Sequence, residues 1–452
     1  MAQGLTPVMS GRLAPPNCGP AAALPLLHDT AAFARKPEGF VTAAAFRAGV
    51  TLRARRLRAA GEIVNLCENR YRFLEAFAAA HQRGLTTLLP ASHSPAAVTE
   101  LIAAYPGSTA LRDAPDEDAL LEEIDARDSP GDFIAAIGHT SGSTGKPAAH
   151  AKSWSSLGSS TALNAAAIRS AMAAGDARRP WIVATVPPQH MYGFEMSVLL
   201  PLLAGFGIHA GRPLLPADVA ATLHDVPPPR VLVSTPVHLR SLVESGIRFP
   251  EMATVVSATA PMTQVLASLI EDCFATVLIE MFGSTETCVI ATRQTAREAG
   301  WRAYPGIRLR PVTAGTAVNA PWFAAEQLLQ DILELAGDGT FTVIGRQSDL
   351  IEVAGKRASL ADLTRRLAAL PGVRDAVVFQ PPPAAGGRAS RCAAFVVAPG
   401  VSARAVAQRF GQVVDPVFVP RPLVIVPALP RNDVGKLPLA QLIEMLAAAR
   451  RA

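Results

Sequence analysis

A chain of 452 residues, half apolar and 17% charged, exceeds one small core and lies far from the composition of disordered segments. Its net charge of +5 comes from scattered arginines, without the aromatic-interleaved basic stripe that reads nucleic acid. No apolar stretch long enough to cross a bilayer lacks proline, glycine or charge, the five cysteines lack metal-ligand spacing, and Pro25 breaks the apolar run Ala21 to Leu27 that an export signal would need. A cytoplasmic, two-domain protein with free thiols and no nucleic-acid partner is the expectation.

In chain order, the basic run Arg53, Arg55, Arg56 and Arg58, with Leu52 and Leu57 among it, predicts a helix with a solvated basic face and both leucines turned to the core. Phe133 to Ile137 reads as a short buried strand, and the run His139-Thr140-Ser141-Gly142-Ser143-Thr144-Gly145-Lys146-Pro147 follows it. Such a loop offers backbone N–H groups, hydroxyls and one cation to a polyphosphate at the carboxyl end of a strand. It is not a Walker loop, because only Ser143 and Thr144 separate Gly142 from Gly145 and Pro147 follows the lysine.

Trp181 to Val186, Arg230 to Thr235, Thr254 to Ser257 and Thr276 to Glu280 are β-branched runs alternating with segments of helical period, the pattern of an α/β domain. The turns Pro187 to His190, Ala258 to Pro261 and Phe282 to Glu286 are expected to gather around one cleft. A small α+β unit begins near Gly345-Arg346, with strands at Leu350 to Val353, Ala376 to Phe379 and Cys392 to Val397. Ser359 is placed to cap its first helix, with Asp362 in the first turn, and Pro381 to Arg388 reads as a surface loop. The expected domains are residues 1–346 and 347–452.

Lysine usage points to chemistry. Only Lys36, Lys146, Lys152, Lys356 and Lys436 stand against a large excess of arginine, and a compact, mobile ammonium is not replaced by a guanidinium where it must meet a reacting group.

Five motifs occur in one order: Thr140 to Pro147, Pro188 to Gly193 with His190, Phe282-Gly283-Ser284-Thr285-Glu286, Asp331 to Arg346, and Pro430 to Lys436. Together they resemble the adenylate-forming superfamily of acyl- and aryl-CoA synthetases, peptide-synthetase adenylation domains and firefly-type luciferases. The resemblance runs from about Phe46 to Leu442, and Gly61-Glu62-Ile63-Val64 to Asn69-Arg70 looks like the family's early strand and helix. It implies a large multi-sheet α/β adenylation domain carrying a small, mobile α+β C-terminal domain. Thr140, Ser141, Gly142, Ser143, Thr144, Gly145 and Lys146 would wrap the β- and γ-phosphates of ATP. Phe282 would lie against adenine, Gly283 would belong to the same nucleotide site, Thr285 would contact the α-phosphate, and Glu286 would help hold Mg²⁺, an ion that needs few protein carboxylates. Asp331 would bind the ribose hydroxyls, fifteen residues before Arg346, which opens the hinge. Lys436 would offset charge building in adenylation, and the His190 ring would close or stack on the acid.

The sequence departs from the family pattern at Ala148, where a lysine is common and whose charge Lys152 or Lys146 would have to supply, and at Ser348 and Glu352 beyond the hinge. The segments Asn65 to Phe73 and Ala354 to Leu360 look most like stand-alone ligases of aryl-polyene and xanthomonadin-type pigment pathways, which implies a hydroxybenzoate-like acid and a phosphopantetheine thiol, of CoA or an acyl carrier protein, as acceptor. A basic small domain (Lys356, Arg357, Arg365, Arg366, Arg388, Arg391) would suit an acidic carrier. An acyl-CoA synthetase for fatty or other aromatic acids, a luciferase-like monooxygenase and a non-catalytic nucleotide-binding member share these motifs.

Overall fold

The computed structural model describes residues 28–57, 61–90, 92–113, 132–140, 148–173, 176–346, 349–353, 356–382, 391–431 and 437–449. The large part is built on an eleven-stranded sheet and a five-stranded one. In the larger sheet the strands Val277–Ser284, Thr254–Ser257, Arg230–Ser234, Trp181–Ala184, Gly207–His209 and Ala32–Lys36 lie parallel, in that order. They are near-continuous apolar runs because helices cover both faces: Ile182, Val231 and Val256 enter one core, and Val183, Leu232 and Val255 enter the other. The strand order reverses at Trp181–Ala184. The chain goes from it to Gly207–His209 on one side and returns to Arg230–Ser234 on the other, so the crevice outside the carboxyl ends of those strands is the expected ligand position.

In the five-stranded sheet, Ile63–Asn65 pairs with Thr87–Leu89 and Thr109–Leu111, and Ile134–Thr140 pairs antiparallel with Ala148–Ser153. The early strand and helix stand where expected, with Asn69 capping Arg70–Gln82 by accepting from Arg72 N. The basic run follows its expectation in part: Arg55 is exposed, Arg58 lies outside the described residues, and Leu52 and Arg53 depart from it. Helix Ala43–Arg56 buries Ala43, Phe46, Val50 and Ala54 at helical spacing, which leaves Leu52 off that face and 45% exposed while Leu57 is buried. Arg53 is turned inward, its guanidinium 3.3 Å from the buried Glu75 carboxylate.

The smaller part is α+β. Leu350–Val353 pairs with Lys356–Ser359, and Asp375–Phe379, Ala393–Val397 and Leu423–Ile425 form a sheet packed by helices Leu360–Ala368, Ala403–Phe410 and Leu439–Ala449. Ser359 caps the first of these by accepting from Asp362 N at 3.3 Å. It also touches the end of the large part, since a Cβ on Gly345 would come within 2.0 Å of Ser359 Oγ. Gly345→Ala is therefore expected to push Ser359 off its cap and to cost about 2 kcal/mol of stability by urea denaturation.

Candidate active site

Gly138, two residues before the end of strand Ile134–Thr140, is a junction. A Cβ there would lie 2.7 Å from Thr285 Cγ2 and 3.0 Å from Met191 Cε. Only a glycine lets the strand that enters the phosphate-loop motif touch both the turn bearing Thr285 and the helix start beside His190. Three motifs far apart in sequence thus meet at one backbone atom. Ser141, Gly142, Ser143, Thr144, Gly145 and Lys146 lie outside the described residues, but their flanks are fixed, because Thr140 pairs with Ala148 across the two strands.

The turn after Val277–Ser284 is tightly built. The strand was expected to stop at Glu280; it continues through Ser284 with a bulge between Phe282 and Gly283, so the motif begins inside the sheet. A side chain on Gly283 would collide with Cys288 O, and Cys288 takes a left-handed φ of 61°. Ser284 N donates to Thr287 Oγ1 at 3.2 Å. Lys152, buried, donates its ammonium to the main-chain oxygen of Glu286, so it anchors the turn. The Glu286 carboxylate is 24% exposed and 3.9 Å from His150 Nε2, which lies 3.5 Å from Thr140 Oγ1. Burial lowers the His150 pKa, with Glu286 pulling against it.

Phe282 is half-buried, 5.2 Å from the Trp301 ring and 5.5 Å from that of Phe341. Phe341 stands in strand Thr340–Arg346, whose last residue is the direct cross-strand partner of Asp331. The spacing of fifteen between Asp331 and Arg346 is thus that of an antiparallel hairpin. Asp331 is buried at 9% exposure, and its main-chain oxygen accepts from Thr316 Oγ1 at 2.9 Å. Lys436 lies outside the described residues, as does Ser348.

His190 is the N-cap residue of helix Met191–Phe194, beside the crevice at the strand-order reversal. There Thr185 Oγ1 lies 2.9 Å from Ser234 Oγ and 3.1 Å from His238 Nδ1, and Tyr192 donates its hydroxyl to Ser234 O and Val256 O. The Ser257 hydroxyl and Gln189 Oε1 are buried with no hydrogen-bond partner among the described residues. A separate groove of ≈ 570 Å³, bordered by Arg230, Glu271 and Arg297, opens at the amino ends of the parallel strands, away from all these residues.

Two buried charged residues carry roles that no motif announced. Glu195, in a π-helical turn, accepts from Ser160, Asn164 and Val289 N, and Arg70 donates to Ala184 O, Val186 O and Ser197. Glu195 is a lone carboxylate within the apolar run Phe194 to Leu203, a pattern that marks a buried polar anchor.

Residues 57–318, more than half of the chain, match the family described as AMP-binding enzyme. The chain belongs to that family. This AMP-binding enzyme is 27% identical over 304 residues to the 4-coumarate–CoA ligase of Halorhodospira halophila, which covers 66% of this chain and 73% of the relative. Its fold matches ATP-bound MatB from Rhodopseudomonas palustris with a TM-score of 0.74 at 18% identity, covering 91% of this chain and 95% of that one. It also matches o-succinylbenzoate CoA synthetase (MenE) from Bacillus subtilis in complex with its acyl-adenylate intermediate, with a TM-score of 0.73 at 19% identity and coverage of 90% and 94%. The large sheet-rich part and the smaller C-terminal part are the architecture of these adenylating folds. Among the described residues no helix is long and apolar enough to cross a membrane.

Proposed function

We propose that this AMP-binding enzyme is an AMP-forming acid–thiol ligase. A carboxylate oxygen attacks the α-phosphorus of ATP, the bond to pyrophosphate breaks, and an acyl-adenylate forms. A phosphopantetheine thiol, losing its proton, then attacks the acyl carbon and AMP departs. The convergence of three motifs at Gly138 carries this reading, because it sets the phosphate-loop strand, Thr285-Glu286 and the turn of His190 around one point. Thr285 would contact the α-phosphate, Asp331 the ribose, and Lys436 the charge developing between acid and phosphate, with Arg346 opening the hinge between the domains 1–346 and 347–452.

Glu286 fits Mg²⁺. A single part-exposed carboxylate, with no cluster of three or more His, Cys, Asp or Glu among the described residues, suits an ion that takes its other oxygens from phosphate and water. When bound, Mg²⁺ neutralises charge on the polyphosphate.

The acid best supported is hydroxybenzoate-like, as in aryl-polyene and xanthomonadin-type pathways. At the carboxyl ends of the strands beside the reversal stand hydroxyl and imidazole groups, Thr185, Ser234 and His238, hydrogen-bonded to one another, and polar groups of this kind suit a ring bearing a hydroxyl better than an alkyl chain. The thiol is that of an acyl carrier protein in the first reading. CoA is the second, favoured by the CoA ligase among the relatives and by Asp362, which pairs with both Arg365 and Arg366 and so neutralises part of the expected basic face.

Carboxylate-dependent ATP–pyrophosphate exchange over hydroxybenzoates, cinnamates and fatty acids, followed by transfer to CoA or to carrier protein, tests the proposal. Exchange with 3- or 4-hydroxybenzoate, lost in Lys436→Ala, is expected. Exchange with fatty acids alone overturns the acid, and none with any acid overturns the ligase.

A further inference from the structure

The carboxyl end of strand Trp181–Ala184 is held by two arginines. Arg70, 1% exposed, donates to Ala184 O at 2.9 Å, to Val186 O at 2.7 Å and to the Ser197 hydroxyl. Arg212 donates from Nε to Thr185 O at 3.3 Å. Three consecutive main-chain oxygens therefore each face a guanidinium. Among the described residues no carboxylate pairs with Arg70, and the charged group that acts on it is Arg212, which repels it. Burial, with that repulsion added, holds its pKa down to about 9, so it remains a cation at neutral pH. Glu195, two residues from Ser197, is engaged by Ser160, Asn164 and Val289 N, and nearby His209 is paired with Asp225.

A buried charge without a partner is costly, and a neutral amide would serve to hold carbonyl oxygens. The position of Arg70 supplies a reason for the charge. Val186 and Ser197 bracket the turn and helix that carry His190, and Ser197 in turn donates to Gly193 O at 2.6 Å, so Arg70 grips both ends of that segment. It does so at the strand-order reversal, where an anionic acid would lose its water.

We propose that Arg70 is a positioning residue of the acid site, fixing the His190 turn and lending an unpaired positive charge that favours a carboxylate over neutral ligands of the same shape. This rests on the acid–thiol ligase reading. The guanidinium is buried against Ala184 O, Val186 O and the Ser197 hydroxyl. Its effect reaches the acid through the field, which acts strongly where water is excluded.

The test is ATP–pyrophosphate exchange with the best acid of the panel, measuring kcat, the KM of acid, the KM of ATP and inhibition by the neutral amide of that acid. Arg70→Gln keeps donors and loses the charge; Arg70→Lys keeps the charge. The expected result for Arg70→Gln is an acid KM raised about tenfold or more, with the KM of ATP and the amide Ki within about twofold of wild type, and substantial recovery of the acid KM in Arg70→Lys. Joint weakening of acid, ATP and amide, or a lysine variant no better than glutamine, overturns the proposal and leaves Arg70 as a fold contact. If Arg70→Gln does not fold, Arg212→Gln decides: an acid KM about threefold higher with the amide unaffected supports the field, and an unchanged acid KM overturns it. Absence of exchange in the wild type, seen before any variant is made, overturns the ligase reading itself and this inference with it.

Discussion

Replacing Glu286 by alanine is expected to lower the rate of acyl-adenylate formation about a hundredfold while leaving the fold intact. The two halves of that expectation have different origins. The fold survives because the turn is held by its backbone: Lys152 donates to Glu286 O, Ser284 N to Thr287 Oγ1, and Gly283 lies against Cys288 O, none of which needs the carboxylate. The rate falls because the carboxylate, 24% exposed at the junction of three motifs, is the charge proposed to hold Mg²⁺ against the polyphosphate. Exchange rates titrated with Mg²⁺ check both at once. The variant should need more Mg²⁺ and still turn over slowly at saturation, with a melting temperature within a few degrees of wild type. An unchanged Mg²⁺ dependence would remove Glu286 from the metal site.

The parts of this fold that were legible in the sequence are those governed by local rules. Thr254 to Ser257 is the strand that its β-branched run predicts, and Ser359 caps its helix; the spacing of Asp331 and Arg346 was expected only from the family resemblance, and the hairpin behind it is a finding of the structure. What sequence could not convey is contact between segments with no shared pattern. Leu52 and Leu57 look alike in a helical run, yet only Leu57 meets the core. Lys152 reads as a candidate for the phosphate-loop charge, and nothing in the sequence tells of its hydrogen bond to a carbonyl 134 residues away. Arg70 sits in a recognisable segment, but its lack of a counter-ion depends on what lies around the end of another strand. Thr140, Thr285 and His190 were assigned to one site through their motifs; the meeting point at Gly138, set by the absence of a side chain, carries no signal of its own.

Glu195→Ala is expected to be the most destabilising of these changes, by about 3–5 kcal/mol in urea denaturation. The side chain is 1% exposed and accepts from Ser160 Oγ at 3.0 Å, Asn164 Nδ2 at 3.1 Å and Val289 N at 3.1 Å. Asn164 in turn accepts from the Tyr304 hydroxyl at 2.9 Å. Truncation leaves those donors buried without an acceptor and opens a void among them. Because Val289 follows the Thr285-Glu286 turn, exchange activity should fall in the fraction that remains folded. The pH dependence separates burial from hydrogen bonding. Burial, the larger influence, raises the Glu195 pKa above its ordinary 4.5, while the three donors and Lys152 pull it down. With the net shift upward, the folded protein keeps a proton that the unfolded chain has released, so this group's stabilisation is full below about pH 4.5 and is lost as pH rises through the folded value. Glu195→Gln cannot titrate, so the stability of wild type relative to that variant should decline from pH 4.5 toward neutrality. A relative stability that instead grows with pH would show that the donors outweigh burial and that the carboxylate is held as an anion for the charge it brings to the turn.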